Sequence, residues 1–340
     1  MNIREIARRA KVSHSTVSRV INQVETVDPK LVRRVQAVIQ EVGYRPNFQA
    51  RALARGRSHT VGLIVSEITG GNPFFSEIIL YFERAAVEQG YEVLVSFADT
   101  ETRPDHIAVC AARMQERQVE GIAALTFGME EQLATMTLDV PVVYAGADHD
   151  LKGVRNVRIN YLPGFRDAIK HLVDFGHQRI GYLSGRLSWS SMRTRYEAVR
   201  KAMKLAGATF DKELVAECDH TWQGGADGVG SLLSLPKPPT AILCSNDVAA
   251  VGALKTLASR GLQAGRDIAL IGFDDLTICQ FTQPPLTTIQ FSPRELAGLA
   301  FKALLEEIQR AEKKTAFEYK TRFVLRESTC APKEDGLVRI

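Results

Sequence analysis

Ser13, His14, Ser15, Thr16, Ser18, Arg19 and Asn22 gather hydroxyl, imidazole, guanidinium and amide groups into one short stretch near the start of the chain. Such groups suit recognition. Hydroxyls and amides bond phosphate oxygens or base edges, and the guanidinium fork of Arg19 matches O6 and N7 of guanine in a major groove. They need a rigid carrier. Ser13 is a good N-cap for a helix whose apolar residues Val17, Val20 and Ile21 leave the polar residues on the outer faces. Ahead of it, Ile3, Ile6, Ala7 and Ala10 recur at i, i+3, i+4 and i+7 and predict a first short helix, which Lys11, Val12 and Ser13 interrupt. Two short helices joined by a tight turn, the second polar at its N-terminus, are what a helix-turn-helix needs to enter a major groove. Spacing alone also admits a small three-helix bundle with ordinary solvated faces.

The charge distribution points the same way. Residues 1–59 hold 12 Lys and Arg against 4 Asp and Glu, whereas the rest of the 340-residue chain holds 31 against 35. A basic head on a slightly acidic body implies a polyanion bound at one end, nucleic acid before membrane. A third helix is expected next, with Asp28 as N-cap and Pro29 at its first position. Leu31, Val32, Val35, Val38, Ile39 and Val42 form its apolar face, and Gly43 stops it.

Residues 12–22, VSHSTVSRVIN, closely resemble the helix-turn-helix of the lac repressor/galactose repressor (LacI/GalR) family of bacterial transcription regulators. The likeness continues through YRPN (44–47), ARALARG (50–56) and much of the remaining chain. The resemblance implies a DNA-binding headpiece over 1–46 and a hinge helix over 47–57, which Asn47 caps and which is too short to be stable alone. Arg51 joins the DNA contacts there. Leu53 matches the leucine that family members press into the minor groove, where an apolar wedge costs unstacking but bends the duplex onto more protein. A plain flexible linker explains Arg51, Arg55 and Arg57 as solvated charge, but not the ARAL pattern. The resemblance also implies a homodimer on double-stranded, pseudo-palindromic operator DNA, with a small-molecule effector controlling affinity.

From Thr60 the period changes. Apolar runs at 61–65, 93–95, 122–125, 140–144, 180–183, 241–243 and 268–271 read as buried strands, separated by helical patterns such as 75–88 and 164–175. Alternating βαβ units predict an α/β fold with parallel sheets covered on both faces, and the strands are too many for one sheet. By resemblance this is a periplasmic-binding-protein-like core over 58–330, with lobe one at about 58–160 and 290–316 and lobe two at about 161–289. The tail, 331–340, has no leucine heptads, so a dimer is expected and not a tetramer.

Ligands of open α/β sheets sit beyond the carboxyl ends of strands. Arg195, Asn246, Asp247 and Asp274 fall after such strand ends. An arginine facing a carboxylate and an amide across a cleft binds a polyol or an anion through directional bonds. The resemblance places Arg195, Asn246 and Asp274 at effector positions; capping or turn roles are the alternative. Asn72 and Phe74, in GGNPFF, lie on the other lip, while Phe75, Ile78, Ile79 and Phe82 form a stripe suited to core or dimer interface. Trp189, His220 and Trp222 face the cleft in family members, where an aromatic face stacks on a sugar or a base; packing of loops on their own lobe is equally open. Ala145 and Gly146 stand where the family often has an acidic residue. Both a sugar-like and a nucleobase-like effector remain open.

Five widely spaced cysteines without CxxC indicate neither a disulfide framework nor a zinc site. No run of about 18 apolar residues suggests a membrane span, and Met1 leads directly into a charged helix, so a cytoplasmic location with no membrane partner is expected. The chain has no GxxxxGK[ST], GxSxG or HExxH, and GGADGVG at 224–230 is not GxGxxG. No catalytic residue, cofactor or metal is expected, and no enzyme. A solute-binding protein, the other contender, would need a signal peptide and no helix-turn-helix.

Overall fold

The structure, a computed structural model, describes residues 3–21, 26–43, 57–66, 72–99, 103, 105–126, 130–146, 151, 153–312 and 316–333. The chain divides into two compact units, 1–58 and 59–340.

The first unit holds α1 (Ile3–Arg9), α2 (His14–Ile21) and α3 (Pro29–Glu41). Its core is Ile6, Ala7, Ala10, Val17, Val20, Val35 and Val38, the residues that helical periodicity turns inward. A large aliphatic side chain contributes roughly 1.5–3 kcal/mol on full burial, so this core is small and its helix ends matter. The turn between α1 and α2 places Lys11 at φ 49°. It is closed by Val12 N–H donating to Ala7 O at 3.0 Å and by Arg34 Nη2 donating to Lys11 O at 2.9 Å. Thr16 N–H donates to Ser13 Oγ at 3.0 Å, the predicted cap of α2. Lys30 N–H donates to Asp28 Oδ1 at 2.7 Å, and Gly43, past the end of α3, has φ 59°. The expected hinge, with Asn47, Arg51 and Leu53, lies outside the described residues except at its last position, 57. Asn22 and the tail residues 334–340 also lie outside them.

The second unit contains two six-stranded sheets. The first comprises β1 (Thr60–Ser66), β2 (Glu92–Ala98), β3 (Ile122–Leu125), β4 (Val142–Ala145), β5 (Arg155–Asn160) and β11 (Phe317–Lys320), in the order β11-β5-β4-β3-β1-β2. The second comprises β6 (Ile180–Gly185), β7 (Val215–Cys218), β8 (Ala241–Cys244), β9 (Ala269–Asp274), β10 (Thr287–Gln290) and β12 (Arg322–Val324), in the order β12-β10-β9-β8-β6-β7. Neighbouring strands are parallel except β10 and β12.

The central strands are buried along nearly their whole length, as a doubly covered sheet requires, and successive side chains turn to opposite faces. Val61, Leu63 and Val65 pack on one face with Phe75, Ile78 and Phe82 of α4 (Pro73–Glu88) and with α11 (Pro293–Ile308). Ile64 turns to the other face, against Ile107, Cys110 and Met114 of α5 (His106–Glu116). Phe82 meets Phe301 edge to face at 5.5 Å. A short α6 (Glu130–Thr135) precedes β4. In the second sheet Ile180, Tyr182, Leu243 and Ile271 face α7 (Leu162–Asp174) and α8 (Ser190–Leu205). Leu183, Ile242 and Leu270 face α9 (Trp222–Leu233) and α10 (Asp247–Ser259). The glycine-rich stretch of α9 is a packing surface: a Cβ on Gly225 would stand 2.1 Å from Ala249 O, and one on Gly252 would stand 1.9 Å from Trp222 O. Among the described residues no helix is long and apolar enough to cross a membrane.

The chain passes between the sheets at 160–162, 290–293 and 320–322. The expected return of lobe one over 290–316 therefore stops short of β11, and the following residues go back to the second sheet as β12. Residue 290 itself ends β10 in the second sheet. Thr321 marks the last crossing: its hydroxyl donates to Tyr161 O at 3.0 Å and accepts from Gly164 N–H at 3.1 Å. Strands β5, β7, β10, β11 and β12 have no apolar run to announce them. In β5 and β11 buried and exposed residues alternate instead, as at Val157, Arg158 and Ile159.

Candidate functional site

On α2, Ser13, His14, Ser15 and Arg19 are exposed, and Thr16 and Ser18 are half-buried. Ser13 Oγ lies 2.7 Å from Ser15 Oγ and 2.8 Å from Thr16 Oγ1, so one serine both caps the helix and arranges two neighbouring hydroxyls. Arg19 Nη2 donates to Thr26 Oγ1, which draws the guanidinium toward the turn ahead of α3. A guanidinium carries five N–H donors, and that bond occupies one of them.

In the second unit α8 carries Arg195 into the interior, where the residue is 1% exposed. Its Cζ stands 4.1 Å from the ring centre of Phe273, 5.1 Å from Tyr161 and 5.5 Å from Phe291, and Nη1 donates to Ser245 O at 2.8 Å. Phe74 of α4 stacks on Phe291 at 5.2 Å with the rings 17° apart. Desolvated cation–π contacts of this kind reach about 2 kcal/mol. The aromatic residues come from the end of β9, the start of α4 and two crossings between the sheets, so the cage around Arg195 draws on both lobes.

Asp274 ends β9 beside this cage. Its φ of 120° and that of Asp275, 61°, are conformations that side chains rarely adopt, as is the φ of 64° at His220. The strain is held in place: Asp275 takes Arg326 Nη2 at 2.6 Å and Gln290 Nε2 at 3.0 Å. Burial drives the Asp274 carboxyl well above its ordinary range, and Arg195 opposes the shift. His220 Nε2 lies 2.8 Å from Ser245 Oγ. Burial, reinforced by the Arg195 charge, pushes the imidazole down to about 3, so it is neutral at neutral pH. Gly185, ending β6, gives it room, since a Cβ there would stand 2.3 Å from Nε2. Trp189 meets His220 edge to face at 5.7 Å.

The structure thus brings Arg195, Asp274, His220 and Trp189 together at the carboxyl end of the second sheet. Phe74 reaches the same cluster through Phe291. Asn72 and Asn246 use their side-chain oxygens as helix caps, accepting from Phe74 N–H at 3.0 Å and Ala249 N–H at 2.8 Å. Asn246 Nδ2 further donates to His220 O at 3.2 Å, so it shapes the His220 turn. Asp247 starts α10 but caps nothing. Its carboxylate accepts from Thr288 Oγ1 at 2.6 Å and Leu276 N–H at 2.8 Å, and burial raises it to about 6. Trp222 opens α9 with 38% of its surface exposed. Ser245, Tyr161, Phe273 and Phe291 were not among the expected effector residues. Their one sequence signal is position, each at or just beyond a strand's carboxyl end. The arrangement offers a buried cation, a carboxyl and a neutral imidazole, groups that can hold a hydroxylated or heterocyclic ligand by directed hydrogen bonds.

Residues 2–47 match the model for bacterial regulatory proteins of the lacI family, and 169–329 match that of a periplasmic binding protein-like domain. The ribose operon repressor of Escherichia coli K12 is 34% identical over 90% of this chain and 92% of its own length. The HTH-type transcriptional repressor PurR of Pasteurella multocida is 32% identical over 96% and 98%. The fold is similar to that of the lac repressor dimer bound to operator and the anti-inducer ONPF, with TM-score 0.89 and 27% identity over 97% of this chain and 99% of that one. It is also similar to the transcriptional regulator CelR–cellobiose complex, with TM-score 0.68 and 26% identity over 96% and 99%. These relatives and fold neighbours are transcription regulators and not enzymes. With a helix-turn-helix in its first unit and a periplasmic-binding-protein-like fold in its second, this chain belongs to the LacI family of bacterial transcriptional repressors.

Proposed function

We propose that the protein is a homodimeric repressor that binds a pseudo-palindromic operator and whose affinity is set by a small sugar-like or nucleobase-like effector held between the lobes. The observation that carries the effector site is the convergence of Arg195, Asp274, His220 and Trp189 at the carboxyl ends of the second sheet, under aromatic rings drawn from both lobes. The names of relatives support the class: one is a ribose operon repressor, and one fold neighbour holds cellobiose. The lac repressor, solved as a dimer on operator, supports the assembly. On this reading His14, Ser15 and Arg19 face base edges, Thr16, Ser18 and Asn22 lie nearer phosphates, Ser13 belongs to the same DNA-binding stretch, and Asn47, Arg51 and Leu53 act in the hinge.

An effector can change DNA affinity only by binding one lobe arrangement better than the other, and the coupling is reciprocal. The test is a thermal-shift screen of pentoses, hexoses, disaccharides, nucleosides and purine bases on the full-length protein, since a ligand of the native state raises its melting point. Operator binding by fluorescence anisotropy, with and without each hit, follows. A hit that shifts operator affinity, and whose own affinity shifts by the same factor when operator is present, supports the proposal. Failure to bind any promoter DNA at low salt would overturn it.

A further inference from the structure

The helix that buries Arg195 has a second polar face. Thr194, Glu197, Lys201 and Lys204 recur at helical spacing on the side of α8 turned away from Arg195, Val199, Ala202 and Met203, and they line a groove of about 1110 Å3. Further lining comes from the first sheet, by Arg158 of β5 and Glu318 of β11, and from Tyr161 and Phe210. The groove therefore draws on both lobes.

Its charge is unbalanced toward positive: Arg158, Arg200, Lys201 and Lys204 stand against Glu197 and Glu318. Both acids are engaged. Glu197 Oε2 lies 2.8 Å from Arg200 Nη2, while Glu318 lies 3.4 Å from Lys320 Nζ and accepts from Asn160 Nδ2 at 3.4 Å. Lys201 and Lys204 are exposed and make no ion pair among the described residues. Side chains three apart on a helix have Cβ atoms about 5–6 Å apart, close enough for two ammonium groups to share one multiply charged anion but wasteful on a single carboxylate.

We propose that this groove is an anion site, separate from the effector cleft, that takes a small phosphorylated molecule between Lys201 and Lys204 of the second lobe and Arg158 of the first. A concave pocket of this size suits a metabolite, whereas protein partners dock on flatter ground. Lysine serves phosphate as a point charge, and arginine adds a bidentate fork. Because the walls belong to different lobes, affinity here depends on the lobe arrangement, and α8 touches this ligand on one face and the Arg195 cage on the other.

The test is calorimetric titration of the full-length protein, without DNA, using pyrophosphate, inorganic phosphate, glucose 6-phosphate and glucose. It reads the groove whether or not the regulator proposal holds. Saturable pyrophosphate binding is expected, weakened about tenfold or more by Lys201→Glu and by Arg158→Glu, with the response to glucose the same in both variants as in wild type. Lys255→Glu on α10 alters net charge by the same amount away from the groove, and it should leave binding near wild type. Tighter binding of glucose 6-phosphate than of inorganic phosphate assigns the site to a phosphorylated metabolite; equal binding assigns it to the free anion, and the site stands in either case. Equal weakening by Lys255→Glu, no effect of Lys201→Glu, or no saturable binding at millimolar pyrophosphate overturns it.

Discussion

The guanidinium carbon of Arg195 stands 4.1 Å from the ring centre of Phe273, the residue immediately before Asp274. Strand alternation sends neighbouring side chains to opposite faces, yet Asp274 has φ 120°, and the Arg195 charge still opposes the upward shift of its carboxyl. One residue supplies the aromatic seat of the arginine and the next a buried carboxyl that feels its charge, so the two positions serve one site.

Arg195→Lys keeps the charge but loses the planar stacking, and should cost about 1–2 kcal/mol of stability. Arg195→Ala should cost roughly 3 kcal/mol, because it leaves a cavity, empties the aromatic cage and takes the donor from Ser245 O. Asp274→Asn is the milder change. Arg195→Ala and Asp274→Asn should each bind operator normally without effector and lose the effector's influence, read by urea unfolding and by operator anisotropy. Wild-type effector affinity in both would place the ligand elsewhere.

His220 and Asp247 should impose opposite pH slopes on stability. The folded pKa of His220 is depressed from 6.5 to about 3, so its contribution is complete above 6.5 and is lost as pH falls toward 3. Asp247 is raised from 3.8 to about 6, so its contribution is complete below 3.8 and is lost as pH rises toward 6. Between about pH 4 and 6 the two offset each other, each slope being at most about 1.4 kcal/mol per pH unit. Relative to wild type, denaturant titrations across this range should show stability falling more steeply with rising pH in His220→Gln and less steeply in Asp247→Asn. Identical profiles in both variants would refute the assignment.

Ser13→Ala removes the cap of α2 and should cost about 1 kcal/mol. Because the headpiece core is small, the loss should appear as faster amide exchange across 15–20, with protection in the second unit unchanged. Unaltered exchange in α2 would mean that packing, not the cap, holds the helix.

Arg19→Ala should weaken operator binding by roughly 1–3 kcal/mol and relax preference at one base pair in each half-site. A competition assay on single-base operator variants checks this. Equal weakening on every sequence would make Arg19 a phosphate contact, which its bond to Thr26 in the free protein makes a fair contest.

What the sequence determined by itself was local or strongly patterned. The caps at Ser13 and Asp28 depend on backbone donors two or three residues away, and α/β alternation is a matter of periodicity over a few turns, so short windows contain them. The helix-turn-helix string and the two-lobed class were legible for the same reason. Tertiary structure decided which polar residues near the strand ends gather beside Arg195 and which serve the backbone. Asn72 and Asn246 cap helices, Asp247 ties α10 to β10 and the segment after β9, and Asp274 with His220 sits at strained turns beside Arg195. It also decided that Tyr161, Phe273 and Phe291 enclose one arginine, and that the chain changes sheets at Thr321. Apart from the two local caps, these outcomes rest on contacts between segments tens to more than a hundred residues apart. Their energy comes from burial and from pairing desolvated polar groups, which depend on where the chain returns in space and not on the spacing of residues along it.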